Sequence, residues 1–156
     1  MQAILETVSN LLPYHLLSYG ALLGTELFQS FVNTKICYQA LPMKEFLALQ
    51  KRVFPAYFRC QVGLVVLTAV TRPPYSILSF SQHIWDSVPL IAVGVTGALN
   101  CAMNEDNSST TDPAKIQQAN KTFSRNHAMS IHLNAIALVA TVWYGFTLSS
   151  SLLNGL

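Results

Sequence analysis

Four long apolar segments dominate this chain and restrict the folds that are open to it. They cover residues about 14–38, 56–71, 84–103 and 126–149. A transmembrane helix needs about 20 mostly apolar residues. A segment inside lipid must satisfy all of its own backbone polar groups, which an α-helix does and an isolated strand does not. The sequence therefore predicts an all-α polytopic membrane protein, a four-transmembrane-helix bundle, with residues 1–156 as one membrane domain.

The composition excludes several other classes of protein. Hydrophobic residues make up 51% of the 156 residues and charged residues only 10%, whereas an ordinary soluble domain has about 25% charged residues. These figures argue strongly against a soluble enzyme, and they exclude a disordered chain. The net charge is only +2 and the basic residues form no stripe, so we expect no nucleic-acid partner. The sequence contains no hydrolase, metalloprotease or nucleotide-binding motif, so we expect no enzymatic activity.

We expect no metal and no cofactor. The three cysteines, Cys37, Cys60 and Cys101, form no CxxC pair, which argues against a zinc site and against a disulfide framework. They lie at a predicted depth similar to that of His127, so a soft metal such as Cu(I) is an alternative. Haem ligation by two histidines requires facing helices at one depth, whereas His127 and His132 share one helix.

The segment between the first two apolar stretches, residues about 42–54, predicts an amphipathic helix. Pro42 suits the first helical turn, and Pro55 marks the predicted end of the helix. The apolar face is formed by Met43, Phe46, Leu47, Val53 and Phe54. The cationic face is formed by Lys44, Lys51 and Arg52. We expect this helix to lie in the membrane interface between spans 1 and 2. A soluble helix that binds a partner is the alternative.

The polar stretch before the fourth apolar segment predicts one more helical start. Asp112 is a suitable N-cap residue, and Pro113 suits the first turn. We expect this helix to continue into the fourth span.

The basic residues predict the orientation. If the chain crosses the membrane four times, its first and third loops share one side, which holds every Lys and Arg except Arg72. The positive-inside rule places these loops in the cytoplasm, or in the mitochondrial matrix, and both termini on the lumenal or outer side. An endomembrane location is favoured, and a mitochondrial one stays open. Glycosylation sequons at Asn107 and Asn120 lie in the loop placed inside, so a glycan there would reverse the orientation.

The first apolar segment carries polar residues at regular helical spacing. Six residues follow each other at steps of four, three, four, three and four residues, which places them on one stripe of a helix. They are His15, Tyr19, Leu22, Glu26, Gln29 and Asn33. An ionised carboxylate near the middle of a membrane is costly, so Glu26 should face the protein interior and be paired or protonated.

The other apolar segments carry polar residues at a similar predicted depth. The candidates for a polar pocket in the inner half of the bundle are Glu26, Gln29, Asn33, Arg59, Asn100, His127, Ser130 and Asn134, with Gln61 and Asn104 beside them. We expect Arg59 or His127 to be the counter-ion of Glu26. Polar residues between membrane helices also serve only to hold helices together, at about 0.6 kcal/mol per hydrogen bond. A ligand site and a purely structural role therefore both stay open.

Four glycines are candidates for close helix packing. Gly20 and Gly24 form a GxxxG pattern in the first segment, and Gly94 and Gly97 lie in the third. Small residues of this kind let the backbones of membrane helices approach each other.

Several strings of the sequence resemble the transmembrane protein 205-like family. The residues that carry the resemblance are Phe31-Val32, Leu41-Pro42, Phe54-Pro55-Ala56-Tyr57-Phe58, and His127, Ser130 and Asn134. They lie in the first two spans and the fourth. Members of this family are four-span membrane proteins without a settled biochemical activity, so the resemblance implies a four-span fold and little about function. It also marks Gln29, Arg59, His127 and Asn134 as first choices for mutagenesis.

Two classes of function remain open from the sequence. The first is a small carrier, channel or binding protein that binds or moves an ion or a small solute in its inner polar pocket. The second is a non-catalytic interaction or scaffold subunit of a membrane complex. In both cases the chain contacts the lipid bilayer, and a homo-oligomer or a membrane-protein partner is expected beside it.

Overall fold

The computed structural model describes residues 10–73, 84–105 and 113–154, and no strand occurs among them. The helices are α1 (Leu11–Leu27), a π-helical segment (Phe28–Asn33), α2 (Thr34–Ala40), α3 (Met43–Val70), α4 (Ile84–Glu105) and α5 (Pro113–Leu153). The prediction of an all-α protein is therefore confirmed for the described residues.

The first helical rod is continuous but changes its winding once. It begins where the Asn10 side chain accepts a hydrogen bond of 3.0 Å from the Leu12 N–H. The π-helical segment follows α1 directly, and α2 continues from it. At the end of the π-helical segment, the Gln29 carbonyl accepts from both the N–H and the hydroxyl of Thr34. Such π-bulges insert a residue into a helix and are frequent at functional sites.

Helix α3 runs without a break through Pro55. The prediction of an amphipathic helix that ends at Pro55 is therefore wrong in its boundary. A proline inside a helix removes one backbone hydrogen bond. Here Phe54, Tyr57 and Phe58 form a buried aromatic cluster with members on both sides of the proline.

Helix α5 confirms the expectation that one helix runs from Pro113 into the fourth apolar segment. Asp112, its predicted N-cap, lies outside the described residues, as do the sequon asparagine Asn107 and the loop around it. The side chain of Asn120 is also outside the described part.

Each long helix packs against two others. Helix α3 contacts α1 and α4, and α5 also contacts both α1 and α4. The apolar side chains that meet at these contacts are Leu22, Val65, Leu90, Val93, Ala137, Ala140, Tyr144 and Leu148. They form one core in which all four long helices take part.

Several large apolar side chains lie on the surface of the described part, while several polar side chains are buried. Leu17, Phe31, Val139 and Phe146 are 62% to 73% exposed. Exposed apolar surface of this extent marks a membrane-facing or partner-facing region. Within the described residues, Met43–Val70 and Ala128–Leu153 are long and apolar enough to cross a membrane, and Ser87–Asn100 is a shorter apolar stretch.

The glycines divide into two groups. A Cβ atom at Gly97 would lie 3.2 Å from the Val62 side chain, and one at Gly94 would lie 3.5 Å from Val65, so α4 approaches α3 closely there. A Cβ atom at Gly20 or Gly24 would have no other described part of the chain within 4 Å. Their predicted role in close packing is therefore not found among the described residues, from which their face of α1 points away.

Candidate functional site

The predicted stripe of the first helix faces the protein interior. His15, Leu22, Glu26 and Gln29 are buried, and Tyr19 and Asn33 are half-buried. Since α1 contacts α3 and α5, this stripe brings polar side chains to the centre of the molecule.

Glu26 is the centre of the site. Its side chain is 0% exposed, and the Nε2 of Gln61 on α3 donates a hydrogen bond of 2.6 Å to its Oε1. Gln61 is itself 0% exposed. It lies against α4 at Gly97, where a Cβ atom would be 3.6 Å from Gln61 Oε1. Thr141 on α5, a further helix, also lies near this carboxyl group.

The π-helical segment supplies the second part of the site. Ser30 accepts a hydrogen bond of 2.7 Å from Asn134 Nδ2 on α5. The Asn134 Oδ1 accepts one of 2.6 Å from the Tyr57 hydroxyl on α3. Asn134 thus joins three helical segments through one amide group.

The remaining polar groups of this segment bond along their own helix. Asn33 Nδ2 donates a bond of 2.8 Å to Gln29 Oε1, and Cys37 Sγ donates one of 3.4 Å to Asn33 Oδ1. These three side chains continue the polar stripe toward the end of α2. We refer to Glu26, Gln29, Ser30, Tyr57, Gln61, Asn134 and Thr141 together as the polar layer.

Several atoms of the polar layer have no hydrogen-bond partner among the described residues. They are Glu26 Oε2, Gln61 Oε1, Thr141 Oγ1 and Gln29 Nε2. Most buried polar atoms in proteins are hydrogen-bonded, and each one that is not costs about 1–3 kcal/mol. Four such atoms in one layer show that hydrogen bonds within the described chain do not satisfy this region.

A second polar cluster surrounds His15, several turns before the polar layer on the same helix. His15 Nδ1 lies 2.9 Å from the Thr68 carbonyl of α3, and Nε2 lies 2.8 Å from the Tyr144 hydroxyl of α5. A carbonyl only accepts, so the neutral ring carries its hydrogen on Nδ1 and accepts from Tyr144 at Nε2. His15 therefore joins α1, α3 and α5.

The predicted site residues differ in how deeply their side chains are buried. Buried are Glu26, Gln29, Asn100 and Ser130, half-buried are Asn33 and Asn134, and exposed is Arg59. The side chain of His127 lies outside the described residues, as do those of Asn104 and Cys101.

Arg59 is not the counter-ion of Glu26. It lies two residues before Gln61 on α3, which turns it by about 200° around the helix axis. Its side chain is exposed, while Gln61 occupies the position next to the carboxyl group. The expectation of a charge pair between Arg59 and Glu26 is therefore wrong, and the one for His127 stays a prediction.

Sequence reasoning missed several members of these clusters, among them Ser30, Tyr57, Thr141 and Tyr144. From the sequence, Tyr57 is named only as part of a family pattern. Thr141 and Tyr144 lie in a segment that is otherwise apolar. The buried positions of Tyr57, Thr141 and Tyr144 on α3 and α5 could have been found from spacing. Asn134, Thr141 and Tyr144 recur at steps of seven and three residues, which is one face of a helix.

The described residues contain no group of three His, Cys, Asp or Glu side chains that could hold a metal ion. Cys37 and Cys60 are free thiols, the first half-buried and the second exposed. The two thiols therefore do not belong to a ligand cluster within the described part.

A comparison with protein families gives one further observation. The model of the family described as a domain of unknown function (DUF4149) matches residues 17–117, about two thirds of the chain. The matched part holds Glu26, Gln29, Tyr57 and Gln61, whereas Thr141 lies beyond it. No solved structure matches the chain.

Proposed function

Since the chain belongs to the DUF4149 family, whose description assigns no function, we propose that it is a multi-pass membrane protein with a binding site for an ion or a small solute. The site is the polar layer around Glu26. The observation that carries this proposal is the fully buried Glu26, held by a neutral amide at 2.6 Å and surrounded by polar atoms without partners.

Helix lengths support four membrane spans. Helix α3 has 28 residues, so it is about 42 Å long, against a hydrocarbon core of about 30 Å. The rod formed by α1, the π-helical segment and α2 contacts α3 along its side, as does α4. All four long helices are therefore proposed to cross the bilayer together, which agrees with the resemblance to the transmembrane protein 205-like family.

The charges support one orientation for this bundle. Lysines and arginines lie toward the end where α2 meets α3, at Lys35, Lys44, Lys51 and Arg52. Arg72 follows the other end of α3 and donates a hydrogen bond of 3.0 Å to Ser87. By the positive-inside rule the first end faces the cytoplasm or matrix, and both termini face the opposite side.

The test is native mass spectrometry of the full chain, extracted gently from its own membrane. We expect an additional discrete mass on the wild type that is lost in Glu26→Gln. The matched control is Glu45→Gln, which removes an exposed carboxyl group from the first turn of α3 and should keep the bound species. A bound mass that survives Glu26→Gln, or an empty wild type, contradicts the proposal and favours the purely structural role of the polar layer.

A lateral interaction with another membrane protein or a second copy is the alternative function. The observation in its favour is the outward face of α1, where Gly20 and Gly24 have open space above them. Leu17 and Leu27 flank them at helical spacing and are exposed. In membranes, small residues at four-residue spacing permit close helix contact. Gly20→Leu and Gly24→Leu should then abolish assembly measured by cross-linking, whereas Gly63→Leu on α3, also in open space, should not.

A further inference from the structure

We infer that the site around Glu26 binds a monovalent hard cation of the sodium type, through Glu26 Oε2, Gln61 Oε1 and Thr141 Oγ1. This inference rests on the proposed function and names the class of ligand. It concerns three side chains from three helices, each at most 1% exposed.

The three proposed ligand atoms are of one chemical type. Glu26 Oε2, Gln61 Oε1 and Thr141 Oγ1 are oxygens, and all three are unpartnered. Hard cations take carboxylate, amide and hydroxyl oxygens as ligands, whereas soft metals take sulfur. These oxygens can all coordinate a cation. A neutral solute would instead need hydrogen-bond donors and acceptors in matching number, so the set of oxygens fits a cation better.

The position of the Gln61 side chain also fits a shared cation. Gln61 Nε2 already bonds to Glu26 Oε1, and the two end atoms of one amide group are neighbours. Gln61 Oε1 therefore lies beside the same carboxyl group. Gly97 of α4 lies next to this oxygen, since a Cβ there would be 3.6 Å away. The Thr141 side chain of α5 lies near the same carboxyl group.

The charge of the site fits a monovalent ion. Among the described residues Glu26 accepts its hydrogen bond from the neutral side chain of Gln61, and the neutral side chain of Thr141 lies near the same carboxyl group. One ionised carboxylate with one monovalent cation is neutral, whereas a divalent ion would leave a buried positive charge, which is costly in an apolar interior. A single carboxylate thus selects a charge of one.

A proton competes with the cation for Glu26. The described titratable groups near Glu26 are Tyr19 on its own helix and Tyr57 on α3, and the charge of Glu26 acts on both. Helix α4 presents Gly97 to Gln61, and α5 presents Thr141. Since protonated Glu26 is neutral and no longer attracts a cation, the apparent affinity for sodium should fall as the pH falls.

The experiment measures the thermal unfolding of the purified full chain in detergent or lipid nanodiscs. Sodium chloride replaces choline chloride at constant ionic strength, with potassium chloride as a second series. A ligand at a hundredfold excess over its Kd raises the unfolding temperature of a chain this size by about 5–10 °C. We expect this shift for the wild type and for the control Glu45→Gln.

Two variants test the ligands. Glu26→Gln keeps a hydrogen-bonding side chain of the same size, and should lose the sodium-dependent shift. Thr141→Val keeps the side-chain volume and removes one oxygen, so it should weaken the apparent sodium affinity about tenfold. If Glu26→Gln fails to fold, Thr141→Val still decides the question.

The outcomes separate the two proposals. A wild type that unfolds at the same temperature in sodium, potassium and choline overturns the cation inference, and so does a sodium shift that survives in both variants. A shift that follows pH alone assigns the site to a proton instead. If sodium has no effect while native mass spectrometry still shows a Glu26-dependent solute, the proposed function stands without this inference; if both are negative, both fail.

Discussion

Gln61 Nε2 on α3 lies 2.6 Å from Glu26 Oε1 on α1, so a neutral amide holds a carboxyl group that is 0% exposed. The amide supplies one hydrogen bond and no charge. The second carboxyl oxygen has no partner among the described residues. This pair is therefore well oriented but not fully satisfied, which distinguishes it from an ordinary interhelical hydrogen bond.

Replacing Gln61 by leucine should lower the free energy of unfolding by about 1–3 kcal/mol. The reason is that both Glu26 oxygens would then be buried without the amide as a hydrogen-bond donor. The measurement is thermal or denaturant-induced unfolding in detergent micelles. Gln39→Leu, at an exposed glutamine on α2, is the matched control and should have little effect.

A double substitution separates the pair from its surroundings. In Glu26→Leu/Gln61→Leu neither member of the pair is left buried without the other, so most of the stability lost in Gln61→Leu should return. If the double variant instead loses the sum of the two single effects, the two side chains are not coupled.

Tyr144→Phe should destabilise the protein by about 0.6 kcal/mol, the average for hydrogen bonds between membrane helices, and by no more than about 1.7 kcal/mol, the largest value. The Tyr144 hydroxyl donates to His15 Nε2 at 2.8 Å, and its loss leaves a buried ring nitrogen without a donor. The unfolding temperature of Tyr38→Phe, in which an exposed hydroxyl is removed from α2, serves as the reference. Equal effects of both substitutions would show that the His15 bond contributes nothing.

The inward face of α1 could be predicted from sequence because it depends only on helical period. The residues that follow each other at steps of three or four between His15 and Asn33 lie on one face of the helix. Because most of them are polar, this face could not point toward lipid. The partner of Glu26 could not be predicted in the same way. It depends on the rotation of α3 about its own axis, which selects Gln61 over Arg59, and hydropathy does not report that rotation.

The role of the glycines also depended on helix rotation. Gly97 and Gly20 are equally small, yet one lies against Val62 and the other faces outward. Residue size permits close approach without specifying which helix approaches. The aromatic hydroxyls of Tyr57 and Tyr144 were missed because these side chains count as apolar in a search for polar residues.

Pro55→Ala should leave the fold intact and raise the free energy of unfolding, by up to about 3 kcal/mol. Helix α3 continues through this position, so alanine restores a backbone N–H donor and removes the clash of the ring with the preceding turn. Had a helix ended at Pro55, the substitution would bring no such gain. Pro42→Ala is the control, because Pro42 precedes the first residue of α3. A loss of stability in Pro55→Ala would show that the ring itself packs in the aromatic cluster.

Gly145→Ala should destabilise the protein by about 1–3 kcal/mol, the usual cost of overpacking. A Cβ atom at Gly145 of α5 would overlap the hydroxyl of Tyr19 on α1. The Tyr19 ring packs edge-on against Tyr144 at a centroid distance of 5.7 Å, so it is not free to move away. Tyr19→Phe removes the overlapping hydroxyl, and should recover much of the stability lost in Gly145→Ala.

The matched control for this test is Gly63→Ala on α3. Nothing described lies within 4 Å of a Cβ at Gly63, so alanine there should stabilise the helix by about 0.5–1 kcal/mol. The two glycine substitutions are chemically identical, and opposite signs in unfolding would assign the difference to the contact between α1 and α5. The same sign for both, with no recovery by Tyr19→Phe, would mean that α5 moves away from Tyr19 at little cost. The α1–α5 contact would then be too loose to hold Thr141 against the Glu26 carboxyl.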